Sequence, residues 1–195
     1  MRDQRRSKSG TAIAFFTACV IPYSFQQPLV EITSKGFFRT AHTAQARTLM
    51  PQPRVVVFDL DACCWTPEMY QIGKGAPFKY DAAKCEATAS GGDKVQLLGD
   101  VRAIWGELHS SELWRQTEVA IASRCDEPQW ALELLSKFQV IPGVSMIEVA
   151  NQRLVQIHSG NKKTHFAEIS KASGVAFADM LFFDDDPWNI EQVFC

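Results

Sequence analysis

Val55-Val56-Val57-Phe58-Asp59-Leu60-Asp61 is the stretch that decides the architecture. Four consecutive β-branched or aromatic residues with no polar interruption describe a strand buried on both faces, which arises where helices cover both sides of a parallel sheet. The run ends in a carboxylate, Asp59, with a second carboxylate two residues later. Two more apolar runs end in polar chemistry: Val119-Ala120-Ile121-Ala122 stops at Ser123-Arg124, and Met180-Leu181-Phe182-Phe183 stops at Asp184-Asp185-Asp186. In open α/β sheets ligands bind beyond the carboxyl ends of the strands, so these three terminations gather reactive groups on one edge.

Helical patterns fill the intervals between the runs. Val101, Ile104, Trp105, Leu108 and Leu113 recur at helical spacing after Asp100, the predicted N-cap. Asp126, Glu127 and Pro128 suit the first turn of a second helix, whose apolar face is Trp130, Leu132, Leu134, Leu135 and Phe138. Residues 146–149 and 154–157 read as two short strands around Asn151-Gln152, with Ser159-Gly160-Asn161 a turn. A third helix is predicted from about Lys163 to Ala172, closed by Gly174. Gly73, Gly75, Pro77, Gly91 and Gly92 break residues 66–94 into loop or short hairpin, too small for a separate lid domain. Alternating strands and helices predict an α/β fold: a three-layer, doubly wound parallel sheet with helices on both faces and a minimal cap.

Composition agrees with one globular domain: 195 residues, 46% hydrophobic, 22% charged. A net charge of −2 gives no basic footprint for a nucleic-acid partner, and no apolar run reaches the ~18–20 residues of a membrane span. The charge is unevenly placed. Residues 1–54 carry eight basic and two acidic residues, the remainder 12 and 20. An Arg/Ser/Thr-rich, acid-poor start has the composition of an organelle targeting peptide, so residues 1–53 are read as a disordered leader and 54–195 as the folded domain. The expected location is a mitochondrion or plastid, with a secretory signal built on Ala12 to Ile21, or a cytoplasmic protein with an untargeted tail, as alternatives. Six cysteines show no C-x-x-C pair, and the adjacent Cys63-Cys64 suits neither a disulfide nor a closed zinc site, so free thiols are expected.

Asp59 and Asp61 lie on the same side of an extended segment, because alternate residues point the same way. Adding Asp184 and Asp185 from another strand crowds anions together, which is costly unless a cation neutralises them; an all-oxygen ligand set suits Mg2+. Such a metal removes the repulsion between a carboxylate and a phosphate dianion.

These residues resemble the haloacid dehalogenase (HAD-like) superfamily. Its D-x-D motif after an apolar strand corresponds to Asp59-Leu60-Asp61, its strand-ending Ser to Ser123, its Lys before a helix to Lys162, and its acidic motif to Asp184-Asp185. Trp65, Pro77-Phe78, Ser123-Arg124, Lys162-Lys163-Thr164-His165-Phe166 and Phe182-Phe183-Asp184-Asp185-Asp186 with Asn189-Ile190 are similar to the magnesium-dependent phosphatase 1 family in particular. The resemblance covers about residues 54–195. It implies a Mg2+-dependent phosphatase working through an aspartyl-phosphate: Asp59 as nucleophile, Asp61 as acid and base, and Leu60, Ser123, Arg124 and Lys162 around the phosphoryl group. The metal would lie between Asp59, the Asp61 backbone carbonyl and Asp185, with Asp184 a close partner. Lys163 rivals Lys162 for the lysine role, and His165 has no vacancy in this chemistry.

Implied substrates are phosphoproteins, phosphotyrosine-like, or phosphosugar-modified amines such as fructosamine phosphates, handled by a monomer. Cys63 and Cys64 stand where the family has Thr and Leu, which leaves open a catalytically impaired binding or regulatory protein, and oxidation of Cys63, Cys64 and Cys125 is an expected route to inhibition. The given sequence stops at Phe194-Cys195, before the closing strand and helix that the family carries after the acidic motif, so the C-terminal closing strand is expected to be missing. Trp65, Phe78 and Trp188 are expected in core or rim.

Overall fold

The computed structural model describes residues 17–20 and 52–194. In chain order the strands are β1 (Thr17–Val20), β2 (Val55–Phe58), β3 (Trp65–Thr66), β4 (Lys79–Asp81), β5 (Glu86–Thr88), β6 (Lys94–Leu97), β7 (Glu118–Ser123), β8 (Gln139–Ile141), β9 (Val144–Ser145), β10 (Ala150–Ile157) and β11 (Met180–Asp184). The helices are α1 (Val101–Ser110), α2 (Pro128–Lys137), α3 (Met146–Val149), α4 (Lys162–Ser173) and α5 (Pro187–Phe194).

The main sheet runs β1-β11-β2-β7-β10, with the last four parallel and β1 antiparallel on β11. From β2 the chain steps outward to β7 and β10, then returns to place β11 on the other side of β2. The winding direction therefore reverses between β2 and β11, and the crevice beyond their carboxyl ends is the ligand position of such folds. All four residues of β2 are buried. Val56 and Phe58 face one core, with Ile121, Trp105, Leu134, Leu135 and Phe183. Val55 and Val57 face the other, with Ala120, Phe166, Ile169, Phe182 and Ile190. Alternation on a two-sided strand explains why the sequence reads as an unbroken apolar run. Each such side chain stabilises the fold by about 1.5–3 kcal/mol.

Four features differ from the sequence expectation. Residues 65–97 form a second sheet, β3-β6-β5-β4, all antiparallel, where a loop or short hairpin was expected. Its signal is the period-two burial of Lys94-Val95-Gln96-Leu97 opposite Ala87, which the glycines on either side obscure. Its inner residues, Trp65, Ala87 and Val95, join the core under α1 and α2, so it is a satellite of the domain and no separate lid.

Residues 146–149 are the helix α3 and not a strand, because Ser145 and Glu148 close a capping box, the Glu148 carboxylate accepting from the Ser145 amide at 2.7 Å. Asn151-Gln152 lie inside β10, where the Asn151 amide bonds the Glu118 carboxylate. Asp100 makes no side-chain cap on α1, and Leu113 belongs to a separate single turn, Glu112–Trp114. Helix α4 begins at Lys162, with the Asn161 side chain accepting from the Thr164 amide at 2.8 Å.

After the acidic motif the chain forms α5, and the free side of β11 is paired by β1, so the edge expected to lack a strand is occupied by Thr17–Val20. Residues 1–16 and 21–51 of the predicted targeting segment lie outside the described residues. No helix among the described residues is long and apolar enough to cross a membrane.

Candidate active site

Beyond the carboxyl ends of β2, β7 and β11 lies an open cavity of about 500 Å3, lined by Asp59, Asp61, Ser123, Arg124, Asp185 and Asn189 among others. Behind Asp59 and Asp184, and out of contact with the cavity itself, is Lys162, the first residue of α4, which is 1% exposed. A lysine is rarely buried so completely unless it is paired, and this one is paired three ways. Its Nζ donates to the Ala122 carbonyl at 2.7 Å and contacts Asp59 Oδ1 at 2.7 Å and Asp184 Oδ2 at 3.0 Å. The adjacent Lys163 is exposed. The two lysines are thus separated by the geometry of the helix start, since only the first side chain points under the sheet edge.

Asp59, Asp184 and Asp185 each offer an oxygen within 4.8 Å of the others. Their roles differ. Asp184 is fully buried and both its oxygens are engaged: Oδ2 with Lys162, and Oδ1 with the Asp186 amide and Asn189 Nδ2, each at 2.9 Å. Asp185 is exposed and lines the cavity. Burial pushes the Asp59 carboxyl from 3.8 up to about 6; Lys162 pulls it down, and the Asp184 charge raises it again. Burial raises Asp185 as well, with Asp184 adding to the effect. Three crowded carboxylates facing one ammonium are a donor set that fits a hard divalent cation.

The side chain of Asp61 stands outside this cluster. Its Oδ1 accepts Trp65 Nε1 at 2.7 Å and the Met69 amide at 3.2 Å, and burial raises its pKa. Of the residues assigned to metal binding, Asp61 brings no side-chain oxygen into this cluster, which leaves its backbone carbonyl for that role. Leu60 is corrected in the same sense: its side chain is fully buried in the core, and only its amide reaches the Asp59 carboxylate. Ser123 is buried at the end of β7, its Oγ accepting the Cys125 amide at 3.3 Å, and the exposed Arg124 follows at the rim.

The cysteines do not form a reactive cluster. Cys63 and Cys64 are fully buried; their thiols donate to the Phe183 carbonyl at 3.5 Å and the Asp59 carbonyl at 3.1 Å. The Cys64 thiol and burial push the Cys63 pKa well up, and burial followed by the Asp61 charge does the same to Cys125. Thiolates are the oxidisable form, so the expected redox sensitivity has no support in this geometry. Cys63, Cys64, Cys85 and Cys125 are unbridged. Trp65 and Phe78 are core residues and Trp188 is exposed on α5. His165 is buried beneath the site, its Nε2 within 3.0 Å of the His158 carbonyl.

Glu68 and Tyr70 also line the cavity and escaped the sequence reading, and Asp126, expected only as a residue of a helix's first turn, lines it as well. Glu68 and Tyr70 sit in the glycine-broken stretch where no periodicity was legible. Asn189, quoted as part of a motif without a role, is the residue that orients Asp184.

A parallel sheet that brings acidic pairs and a buried lysine to its switch point defines the class of HAD-like hydrolases. Residues 51–194 match the Acid Phosphatase family, and the chain belongs to it. Two relatives agree: a HAD-like hydrolase superfamily protein of Schizosaccharomyces pombe, 30% identical over 71% of this chain and 79% of its own length, and Magnesium-dependent phosphatase 1 of Homo sapiens, 30% identical over 72% of each.

Proposed function

We propose that the protein is a Mg2+-dependent phosphatase that hydrolyses phosphomonoesters by way of an aspartyl-phosphate on Asp59. The observation that carries this reading is the buried ammonium of Lys162 held at 2.7 Å from Asp59 Oδ1 and 3.0 Å from Asp184 Oδ2. That contact fixes one oxygen of Asp59 against a cation and leaves the other toward the cavity, which is what a carboxylate nucleophile requires. Asp59, Asp185 and the Asp61 carbonyl would hold Mg2+, with Asp184 orienting them from behind. A bound Mg2+ supplies the charge that lets an anionic site accept a phosphate dianion.

Asp59 attacks phosphorus as the ester bond breaks, and Asp61 gives its proton to the departing oxygen. Asp61 then takes a proton from water, whose oxygen displaces Asp59 and releases phosphate. Ser123 and Arg124 hold the phosphoryl oxygens, and Lys162 offsets charge on them and on Asp59. The raised pKa of Asp61 favours its protonated form before the first step.

The open mouth, with the exposed Tyr70 at its rim, suits phosphoryl groups presented on large carriers: phosphotyrosine-like sites in proteins or phosphosugar-modified amines. The test is turnover of p-nitrophenyl phosphate. Activity that requires Mg2+, disappears in EDTA and is absent in Asp59→Asn is expected, together with a hydroxylamine-sensitive phosphoryl group on Asp59. Equal turnover in EDTA overturns the reading, and no turnover with any phosphomonoester favours the binding-protein alternative.

A further inference from the structure

Asp61 has two opposite tasks in the proposed phosphatase mechanism, on which its further role rests, and both need one fixed orientation of its carboxyl group. We propose that Trp65 is the positioning residue that assigns the two oxygens of Asp61: it locks Oδ1 and leaves Oδ2 to carry the transferable proton. Trp65 is fully buried and stacks on Phe138, ring centroids 6.2 Å apart, so its indole cannot turn aside. Its Nε1 donates to Asp61 Oδ1 at 2.7 Å, and the Met69 amide donates to the same atom at 3.2 Å. An indole N–H only donates, and so does an amide. An oxygen accepting two such bonds has no lone pair left for a proton, which therefore resides on Oδ2.

The backbone explains how a residue only four positions away reaches back. Ala62 adopts a left-handed conformation, φ 57°, and the Leu60 carbonyl accepts the Cys64 amide at 2.6 Å and the Trp65 amide at 3.2 Å. Trp65 then pairs with Leu97 across β3 and β6. The satellite sheet thus acquires a task, since it clamps the strand that presents the indole. In the first half-reaction the Oδ2–H bond breaks and its proton goes to the leaving oxygen as the ester P–O bond breaks and the Asp59–phosphorus bond forms. In the second, a water O–H gives its proton to Oδ2 as the water oxygen bonds phosphorus and the Asp59–phosphorus bond breaks.

The experiment measures kcat/KM of Trp65→Phe, which removes the N–H and keeps an aromatic ring, against phosphomonoesters whose leaving groups range from p-nitrophenol to simple alcohols. kcat/KM reports the step in which the leaving group departs. A misplaced acid hurts poor leaving groups most, so alkyl phosphates are expected to lose on the order of 10- to 100-fold, and p-nitrophenyl phosphate only a few-fold, with KM little changed. An equal loss across the series marks a packing defect and overturns the proposal. In the Asp61→Asn background Trp65→Phe is expected to cost nothing further; additive losses overturn it.

Should Trp65→Phe not fold, the Trp65 indole N–H resonance of the wild-type protein, assigned among the five tryptophans, serves instead. It is expected downfield and shifted in Asp61→Asn, and an unmoved resonance overturns the assignment. Wild-type turnover together with a Trp65→Phe loss that is equal for every leaving group would remove Trp65 alone, whereas absence of wild-type turnover would remove the phosphatase reading.

Discussion

Replacing Asp59, the proposed nucleophile, should make the metal-free protein more stable. Burial lifts the Asp59 carboxyl from 3.8 to about 6 even with Lys162 at 2.7 Å, because Asp184 shares that lysine at 3.0 Å. A rise of that size corresponds to about 3 kcal/mol against the ionised form at neutral pH. Asp59→Asn removes this cost and leaves Lys162 paired with Asp184, a balanced buried pair where three charges stood before. For a domain of this size the gain is about 10 °C in Tm.

The sign with pH follows from the direction of the rise. A carboxyl whose folded pKa is raised contributes stability that is fully present below 3.8 and lost as pH rises through about 6. The advantage of Asp59→Asn is therefore complete above pH 6, shrinks as pH falls and vanishes near 3.8. Thermal melts in EDTA at pH 7.5, 6 and 5 measure it, and added Mg2+ should narrow the gap by stabilising the wild-type protein. A variant that melts at or below the wild-type temperature in EDTA at pH 7.5, or a gap that does not narrow in acid, refutes the electrostatic account.

Four further outcomes are expected. Lys162→Met leaves Asp59 and Asp184 buried without a cationic partner and costs about 3–5 kcal/mol along with turnover, whereas Lys163→Met changes stability by less than about 0.5 kcal/mol and leaves turnover intact; denaturant titration and p-nitrophenyl phosphate assays read both. Asp185→Asn raises the Mg2+ concentration needed for half-maximal activity more than it lowers Tm, while Asp184→Asn, which disturbs the Lys162 and Asn189 contacts, does the reverse; Mg2+ titrations with parallel melts separate them. Burial pushes His165 down to about 4, so the wild-type protein loses stability as pH falls from 6.5 toward 4, and His165→Gln should flatten that loss in pH-dependent melts. Glu68, raised by burial and by the charges of Asp61 and Asp185, adds negative charge at the cavity mouth. Glu68→Gln should raise kcat/KM for acidic phosphopeptides relative to basic ones by a few-fold at low salt, and the difference should fade as salt is added.

The parts of the molecule legible in the sequence are those where one physical demand acts alone. A strand covered on both faces must be apolar throughout, so β2, β7 and β11 were visible as runs, and the groups at their ends had to share an edge. The satellite sheet was hidden because its strands are short and half-exposed, and the glycines of its turns look the same as glycines of a loop. α3 was hidden because Met-Ile-Glu-Val has strand-like composition, while its helical turn is decided by the Ser145–Glu148 capping box. Within the site, residue types were readable and orientations were not. Nothing in Asp59-Leu60-Asp61 says that the first carboxylate faces a lysine and the second an indole. That division depends on the left-handed turn at Ala62 and on Trp65 returning through a different sheet.

The same division explains why the two carboxylates of the D-x-D segment can have separate chemical fates two residues apart. Asp59 lies where β2 ends against β11, and there it shares Lys162 with Asp184; its environment is ionic and its free oxygen faces other anions. Asp61 lies where the chain leaves the main sheet, and its neighbours are N–H donors, the Trp65 indole and the Met69 amide; its environment is hydrogen-bonded and its proton affinity is raised by burial. In the proposed mechanism an ionic setting suits Asp59, because the lysine and a cation held at Asp185 would offset the negative charge as it passes from the carboxylate to the phosphoryl group. A hydrogen-bonded setting suits a group that must hold and release a proton, because its charge changes without a counter-ion having to move. The fold produces both settings by placing the topological reversal on one side of residue 60 and the entry to the satellite sheet on the other.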